Sequence, residues 1–307
     1  MINAFTVDLE DYFQVSAFSG SVDRPQWASF PSRVEQNTDR VLEILAAAHC
    51  RATFFTLGWI AERFPQLIRR VSGAGHELAC HSFAHRYVYD LNRQQFREDT
   101  LRAKRAIENA SGVAVTGYRA PSFSITKSSD WAFEVLADLG FQFDSSVYPV
   151  RHPNYGIPEA PLTPYRIETP SGNLIEFPMP ALQFGNRRAP FGGGAYLRLL
   201  PYAFTRWAIN HVNRIENRHV CVYVHPWEFD PVQPRLSTGI AARIRHYVGL
   251  RGLTGKVRRL LADFEFEPLG RMANRLLLEK PALTERVAGL QVSDAYARSK
   301  PGRAWMT

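Results

Sequence analysis

Two of the nine histidines in this 307-residue chain stand four apart, in the stretch His81-Ser82-Phe83-Ala84-His85. Imidazoles at i and i+4 lie on one side of a helical turn, where their ring nitrogens can converge on one divalent cation. Nine histidines produce some pairs by chance, so the surroundings must decide. The residues before the pair, from Gly73 to Cys80, read as a turn and a short buried strand that delivers His81 to the strand's C-terminal end, the edge where parallel α/β folds collect catalytic groups. A second cluster, Asp8, Glu10 and Asp11, follows the apolar run 3–8. Carboxylates at the end of a buried strand cost much to desolvate unless they meet a cation or a reaction centre. Arg119, Asp144 and His225 each close a further apolar run. Singly, an Arg at a strand end is a surface ion pair and a His before Pro caps a loop, but five such ends in succession point to one site.

The elements that must carry these residues follow from periodicity. Apolar spacing predicts helices over 34–48, 59–71, 94–109, 129–139, 203–215 and 255–263, and strands over 3–8, 51–57, 77–80, 117–119, 142–144, 220–224 and 264–266. Strands and helices alternating at this spacing imply βαβ units and a parallel sheet. Residues 148–194 break the pattern, being rich in Pro, Gly and Tyr with one strand expected near 174–177, and read as a long excursion over the functional edge. Residues 1–278 are read as a single catalytic domain and 279–307 as a polar tail outside it.

With 45% hydrophobic and 12% aromatic residues the chain can bury a large core without disulfides. Its three cysteines, Cys50, Cys80 and Cys221, cannot all pair, and each lies by an apolar run, which reads as buried thiols in a reducing compartment. No leader-like N-terminus and no apolar run of about 20 residues is present, so a cytoplasmic location is expected. The net charge of +8 is concentrated late, in residues such as Arg235, Arg243, Arg245 and Arg251, without a nucleic-acid motif. It reads as a solvated basic face, no nucleic acid is expected as a partner, and weak association with a membrane surface and a homo-oligomer stay open.

Taken in order, these motifs resemble the NodB-homology polysaccharide deacetylases, carbohydrate esterase family 4. Val-Asp-Leu-Glu-Asp-Tyr-Phe at 7–13 and His225-Pro226-Trp227-Glu228 are similar to the branch found with bacterial exopolysaccharide and exosortase (PEP-CTERM) loci. The resemblance implies an α/β fold, a deformed (β/α) barrel with fewer than eight regular strands. It also implies a metal-dependent hydrolase that removes N-acetyl groups from amino sugars of a polysaccharide or its lipid-linked precursor, in exopolysaccharide biosynthesis. Carried over, His81 and His85 match the metal-binding histidines, Asp8 the catalytic base, Arg119 the residue that holds the base, His225 the general acid and Asp144 the acid that orients it. The family's adjacent Asp-Asp is here interrupted by Leu9, and Ser122 stands where an aromatic often follows the proline. Asp8 and Glu10 share a face if the strand runs through residue 10, which makes Glu10 the expected third ligand and Asp11 the alternative. Two imidazoles and a carboxylate suit zinc best. Trp227, Tyr148 and Tyr155 offer aromatic faces to a sugar.

The pair lacks the glutamate of a His-Glu-x-x-His peptidase. The nearer alternatives are an allantoinase-like cyclic amide hydrolase on the same barrel and a catalytically silent carbohydrate-binding relative; the intact His pair argues against the first, and the presence of Asp8 and His225 against the second.

Overall fold

The computed structural model describes residues 1–279. Strand β1 (Asn3–Leu9) is buried along its whole length and is followed by α1 (Val34–Ala47), β2 (Thr53–Thr56), α2 (Gly58–Arg63), α3 (Pro65–Gly73) and β3 (Glu77–Cys80). Next come α4 (Arg93–Ser111), β4 (Gly117–Tyr118), α5 (Ala132–Asp138) and β5 (Phe143–Asp144). Four strands follow in close succession, β6 (Tyr165–Thr169), β7 (Gly172–Glu176), β8 (Ala181–Phe184) and β9 (Arg187–Pro190). The chain closes with α6 (Gly194–Leu199), α7 (Tyr202–Arg214), β10 (Cys221–Val224), α8 (Ile240–Tyr247), α9 (Leu250–Asp263), β11 (Phe266–Glu267) and α10 (Leu269–Glu279). The polar tail expected from 279 starts at the last residue of α10; residues 280–307 lie outside the described residues.

The main sheet runs β10-β1-β2-β3-β4-β5-β7 with every neighbour parallel, β6 antiparallel to β7 at one edge, and β11 pairing with the start of β1. Leu9, Thr56, Cys80, Tyr118, Asp144 and Glu176 are successive register partners, so the strands end on one line. Side chains alternate between faces along a strand. Leu9, Cys80 and Tyr118 pack into the helix layer with Phe54, Phe96 and Leu136, whereas Phe55, Ala79, Phe143, Cys221 and Tyr223 form a second cluster on the other face. Each fully buried Phe in these layers contributes roughly 2 kcal/mol of transfer free energy.

That second face is the inside of a curled sheet. Arg119 follows β4, three strands from β1, a separation of about 14 Å if the sheet were flat. Yet its guanidinium donates to Asp8 Oδ1 at 2.7 Å and to Thr6 Oγ1 at 2.8 Å, both on β1, and to the Ser145 carbonyl after β5 at 3.1 Å. The architecture is thus the expected deformed barrel.

Three sequence readings need correction. The single helix over 59–71 is two, because Pro65 starts α3 and its missing N–H ends the run that α2 began. The 148–194 excursion contains four strands rather than one, paired as the antiparallel hairpins β6–β7 and β8–β9, whose Pro and Gly content masks their alternation. Residues 81–85 are not helical; Ser82 and His85 both adopt left-handed backbone, with φ of 67° and 50°.

Candidate metal and catalytic centre

Of the six positions one residue beyond the shared register line, the polar ones are Glu10, His81, Arg119 and Ser145, and His225 stands beside Asp8 because Val224 pairs with Val7. Being odd with respect to the outward residues, they face the barrel interior. Glu10, His81 and His85 converge there, each offering a ligand atom within 4.8 Å of the others, and all three are buried. Strand β1 ends at Leu9, and the Glu10 N–H turns back onto the Asp8 carbonyl at 3.0 Å.

The His loop is held from several sides. His81 N–H continues the sheet ladder to the Thr56 carbonyl at 2.9 Å, and its Nδ1 faces the Arg119 carbonyl at 2.8 Å. That carbonyl fixes the proton on Nδ1 and leaves Nε2 as a free lone pair. The Ser82 and Phe83 carbonyls accept from Gly58 and Trp59 N–H, Asp99 accepts from Phe83 N–H at 2.7 Å, and Ser82 Oγ accepts from His85 N–H at 3.0 Å. Left-handed non-glycine backbone costs energy that surrounding contacts must offset; these contacts do so, and the geometry achieves what the helical turn was expected to do.

Glu10 Oε2 lies 3.0 Å from His85 Nε2 yet makes no hydrogen bond. Burial raises the Glu10 pKa, but His85, His225 and His81 outweigh it and bring it down to about 2. Burial lowers His81 to about 4. A buried carboxylate beside the Nε2 atoms of His81 and His85 is the donor set a divalent cation satisfies. Asp11 does not take part: its carboxylate accepts from Ser32 Oγ, Arg33 N–H, Val34 N–H and Tyr12 N–H, tying down the start of α1.

Around this trio, Asp8 is pinned through Oδ1 by the fully buried Arg119, leaving Oδ2 directed at His225 Nε2, 3.9 Å away. His225 Nε2 is also 3.6 Å from Glu10 Oε1. Its Nδ1 contacts Glu228 Oε2 at 3.1 Å, and the same oxygen accepts from the His225 N–H. Burial would lower the His225 pKa, but Glu228, then Glu10 and Asp8, push it up to about 9. Glu228 in turn is bound by Arg198 at 2.6 Å, a buried guanidinium that also donates to the carbonyls of Arg245, His246 and Val248.

Asp144, expected to orient His225, does not reach it. As a register partner of Tyr118 it points to the helix side of the sheet, where its carboxylate accepts from Ser146 N–H and Oγ and sits beside Glu176. Burial raises both carboxyl pKa values, Glu176 well above the usual range, so the pair shares a proton. The carboxylate in contact with His225 is that of Glu228. Its i,i+3 spacing from His225 was legible in His225-Pro226-Trp227-Glu228; Arg198, thirty residues upstream, carried no local signal.

The site opens into a cleft of about 220 Å³ whose wall includes Tyr87, Ser122, Tyr155, Tyr196 and Arg245. Ser122 and Phe123 both have left-handed backbone there. Trp227 reaches the cleft but is buried: it stacks on His225 and His246 and donates from Nε1 to Glu10 Oε1 at 3.1 Å, so it holds the Glu10 carboxylate in place. Tyr148 is not a cleft residue; it is 1% exposed, packs edge-on against Phe123 and donates to the Phe191 carbonyl. Tyr155 lines the cleft but is buried, its ring stacked with His152 at 3.7 Å and with Tyr148 at 5.6 Å.

Residues 23–143 match the family described as polysaccharide deacetylase. Over that stretch the chain is similar to the polysaccharide deacetylases. Residues 145–274 match a domain of unknown function (DUF3473). The junction falls in β5, whose Phe143 and Asp144 pair with Gly117 and Tyr118 on one side and Ile175 and Glu176 on the other, so one sheet spans both matches. The chain is 28% identical over 121 residues to a peptidoglycan-N-acetylglucosamine deacetylase of Bacillus cereus, covering 38% of this chain and 44% of that protein. It spans less than half the length of the curated relatives it matches first. In structure it is similar to a Mycobacterium smegmatis protein proposed to be a polysaccharide deacetylase, with 21% identity, TM-score 0.61 and 90% of each chain covered. It is also similar to Puue allantoinase, with 15% identity, TM-score 0.59 and 91% and 90% of the two chains covered. These two likenesses are of fold.

Proposed function

We propose that the chain is a metal-dependent deacetylase of N-acetylated amino sugars in a glycan or its lipid-linked precursor, and that residues 1–278 work as one catalytic unit. The observation that carries the reading is the convergence of Glu10, His81 and His85 on one buried point, with Asp8 and His225 on the same side of it. Glu10 is the proposed third ligand, since the oxygens of Asp11 are engaged at α1. Zinc fits two imidazoles and a carboxylate with positions left open, and when bound it supplies Lewis acidity toward an amide carbonyl and a water.

The chain's own residues do the rest. Asp8, fixed through Oδ1 by Arg119, accepts the water's proton at Oδ2. His225 gives its Nε2 proton to the departing amine, without which the tetrahedral adduct reverts. Glu228 holds the imidazole through Nδ1, so the donating nitrogen faces the cleft. The match of residues 23–143 to the polysaccharide deacetylase family and the relative named for N-acetylglucosamine support an N-acetyl sugar as substrate. The segments 7–13 and 225–228 support the exopolysaccharide-locus branch, and no helix among the described residues is long and apolar enough to cross a membrane, which is compatible with a cytoplasmic precursor as the substrate.

The test is acetate release from N-acetylglucosamine oligosaccharides and lipid-linked precursors run beside allantoin. The account expects turnover of the N-acetyl sugars alone. Efficient turnover of allantoin with none of the sugars would replace it with the cyclic amide reading.

A further inference from the structure

Between Asp230 and Asp263 the chain carries seven Lys and Arg and not one Asp or Glu. The helix α8 lies in this stretch. Its buried residue is His246, which packs on Trp227 and Phe18. On the opposite side, Ile240, Ile244 and Val248 are 76%, 54% and 45% exposed. At about 100° per residue these three form one stripe, with Arg243 on one flank and Arg245 on the other. The bond from Arg198 to the Val248 carbonyl brings the end of α6 alongside, and Leu199 there is also largely exposed. No carboxylate among the described residues pairs with Arg243, Arg245 or Arg251. Arg245 lines the cleft, so this surface borders the mouth of the site.

Aliphatic side chains in a row are costly to leave in water, and long arginine stems beside them can lie along an apolar surface while their charges stay hydrated. An apolar stripe with arginines on both edges fits the boundary between headgroups and acyl chains. A wholly cationic segment repels a second copy of itself and complements an anionic surface. We propose that α8 docks the protein on an anionic lipid surface, with the cleft mouth turned toward the headgroups. That the docked cleft would meet a lipid-linked glycan rests on the deacetylase reading; the docking itself does not.

The full chain would be sedimented with vesicles of phosphatidylcholine alone and with vesicles that also contain phosphatidylglycerol, at low and physiological salt. Binding should require phosphatidylglycerol and weaken with salt. Arg243→Gln should reduce partitioning about fivefold, and the double change Ile240→Ser, Ile244→Ser about tenfold or more. The double variant should keep its melting temperature and its turnover of a soluble N-acetyl oligosaccharide, so that lost binding is not lost folding. If the parent chain binds vesicles but releases no acetate from any N-acetyl sugar, the deacetylase reading fails and the docking stands. Absence of binding at low salt, equal binding to pure phosphatidylcholine, or binding unchanged in the isoleucine variant would overturn the proposal. A dimer that the isoleucine changes dissociate would likewise overturn it and assign the stripe to a second copy.

Discussion

At the scale of single residues, the site separates two carboxylates that the sequence could not tell apart. Glu228 contacts His225 Nδ1, and Asp144 lies on the far face of the sheet. An amide needs its nitrogen protonated as it leaves, whereas an activated aryl ester does not. His225→Ala should therefore lower N-deacetylation by roughly two to four orders of magnitude while sparing an aryl acetate far more. Glu228→Gln should show the same amide-selective loss to a smaller extent, and Asp144→Asn should show none; kcat/KM on the two substrates checks all three. Asp8, His81, Arg119 and His225 were singled out because each ends an apolar run, and His85 by its spacing from His81; the structure brings all five to one place. Asp144 was misplaced because a two-residue strand gives no alternation from which to read its face. The Asp11 carboxylate is engaged by residues 32–34, contacts that spacing along the chain does not reveal.

At the scale of elements, the His loop depends on a helix that never touches the ligands. Gly58 begins α2 against α4; a Cβ there would come within 2.6 Å of both the Ala103 Cα and the Phe83 ring, and its N–H holds the Ser82 carbonyl at 2.9 Å. Gly58→Ala should lower stability by about 1–3 kcal/mol by overpacking, measured by urea denaturation, and should weaken metal retention in a chelator competition. Most long helices and the buried strands were readable from period alone to within a few residues, but α8 and α10 were not expected and α9 begins five residues earlier than read. Of the four strands between 165 and 190 only β7 was, because the alternation of the others is diluted by Pro, Gly and exposed Arg. The pair His81/His85 was read with the right outcome from the wrong local geometry: convergence comes from two left-handed residues braced by side-chain bonds, which no spacing rule encodes.

At the scale of the whole molecule, the barrel is stitched by buried polar groups as well as by its two apolar layers. His76 accepts the Ala52 N–H on Nδ1 between β2 and β3, which requires the neutral ring, and burial lowers its pKa to about 4. The unfolded chain binds this proton near pH 6.5, so the contribution is complete above that value and is lost as pH falls through about 4. The loss is up to about 3 kcal/mol. Thermal melts from pH 7 to 3.5 should show this fall, and His76→Gln should flatten it.

Assembly of residues from both halves of the chain around one buried point is the feature on which the functional account stands or falls. Its most direct measurement is a titration of zinc into fully chelated protein, following bound metal and acetate released from an N-acetylglucosamine oligosaccharide together. The account predicts one tight ion per chain, acetate release rising in proportion to it, and loss of both in His81→Ala and His85→Ala. Full turnover by a chain shown to be free of metal would contradict it.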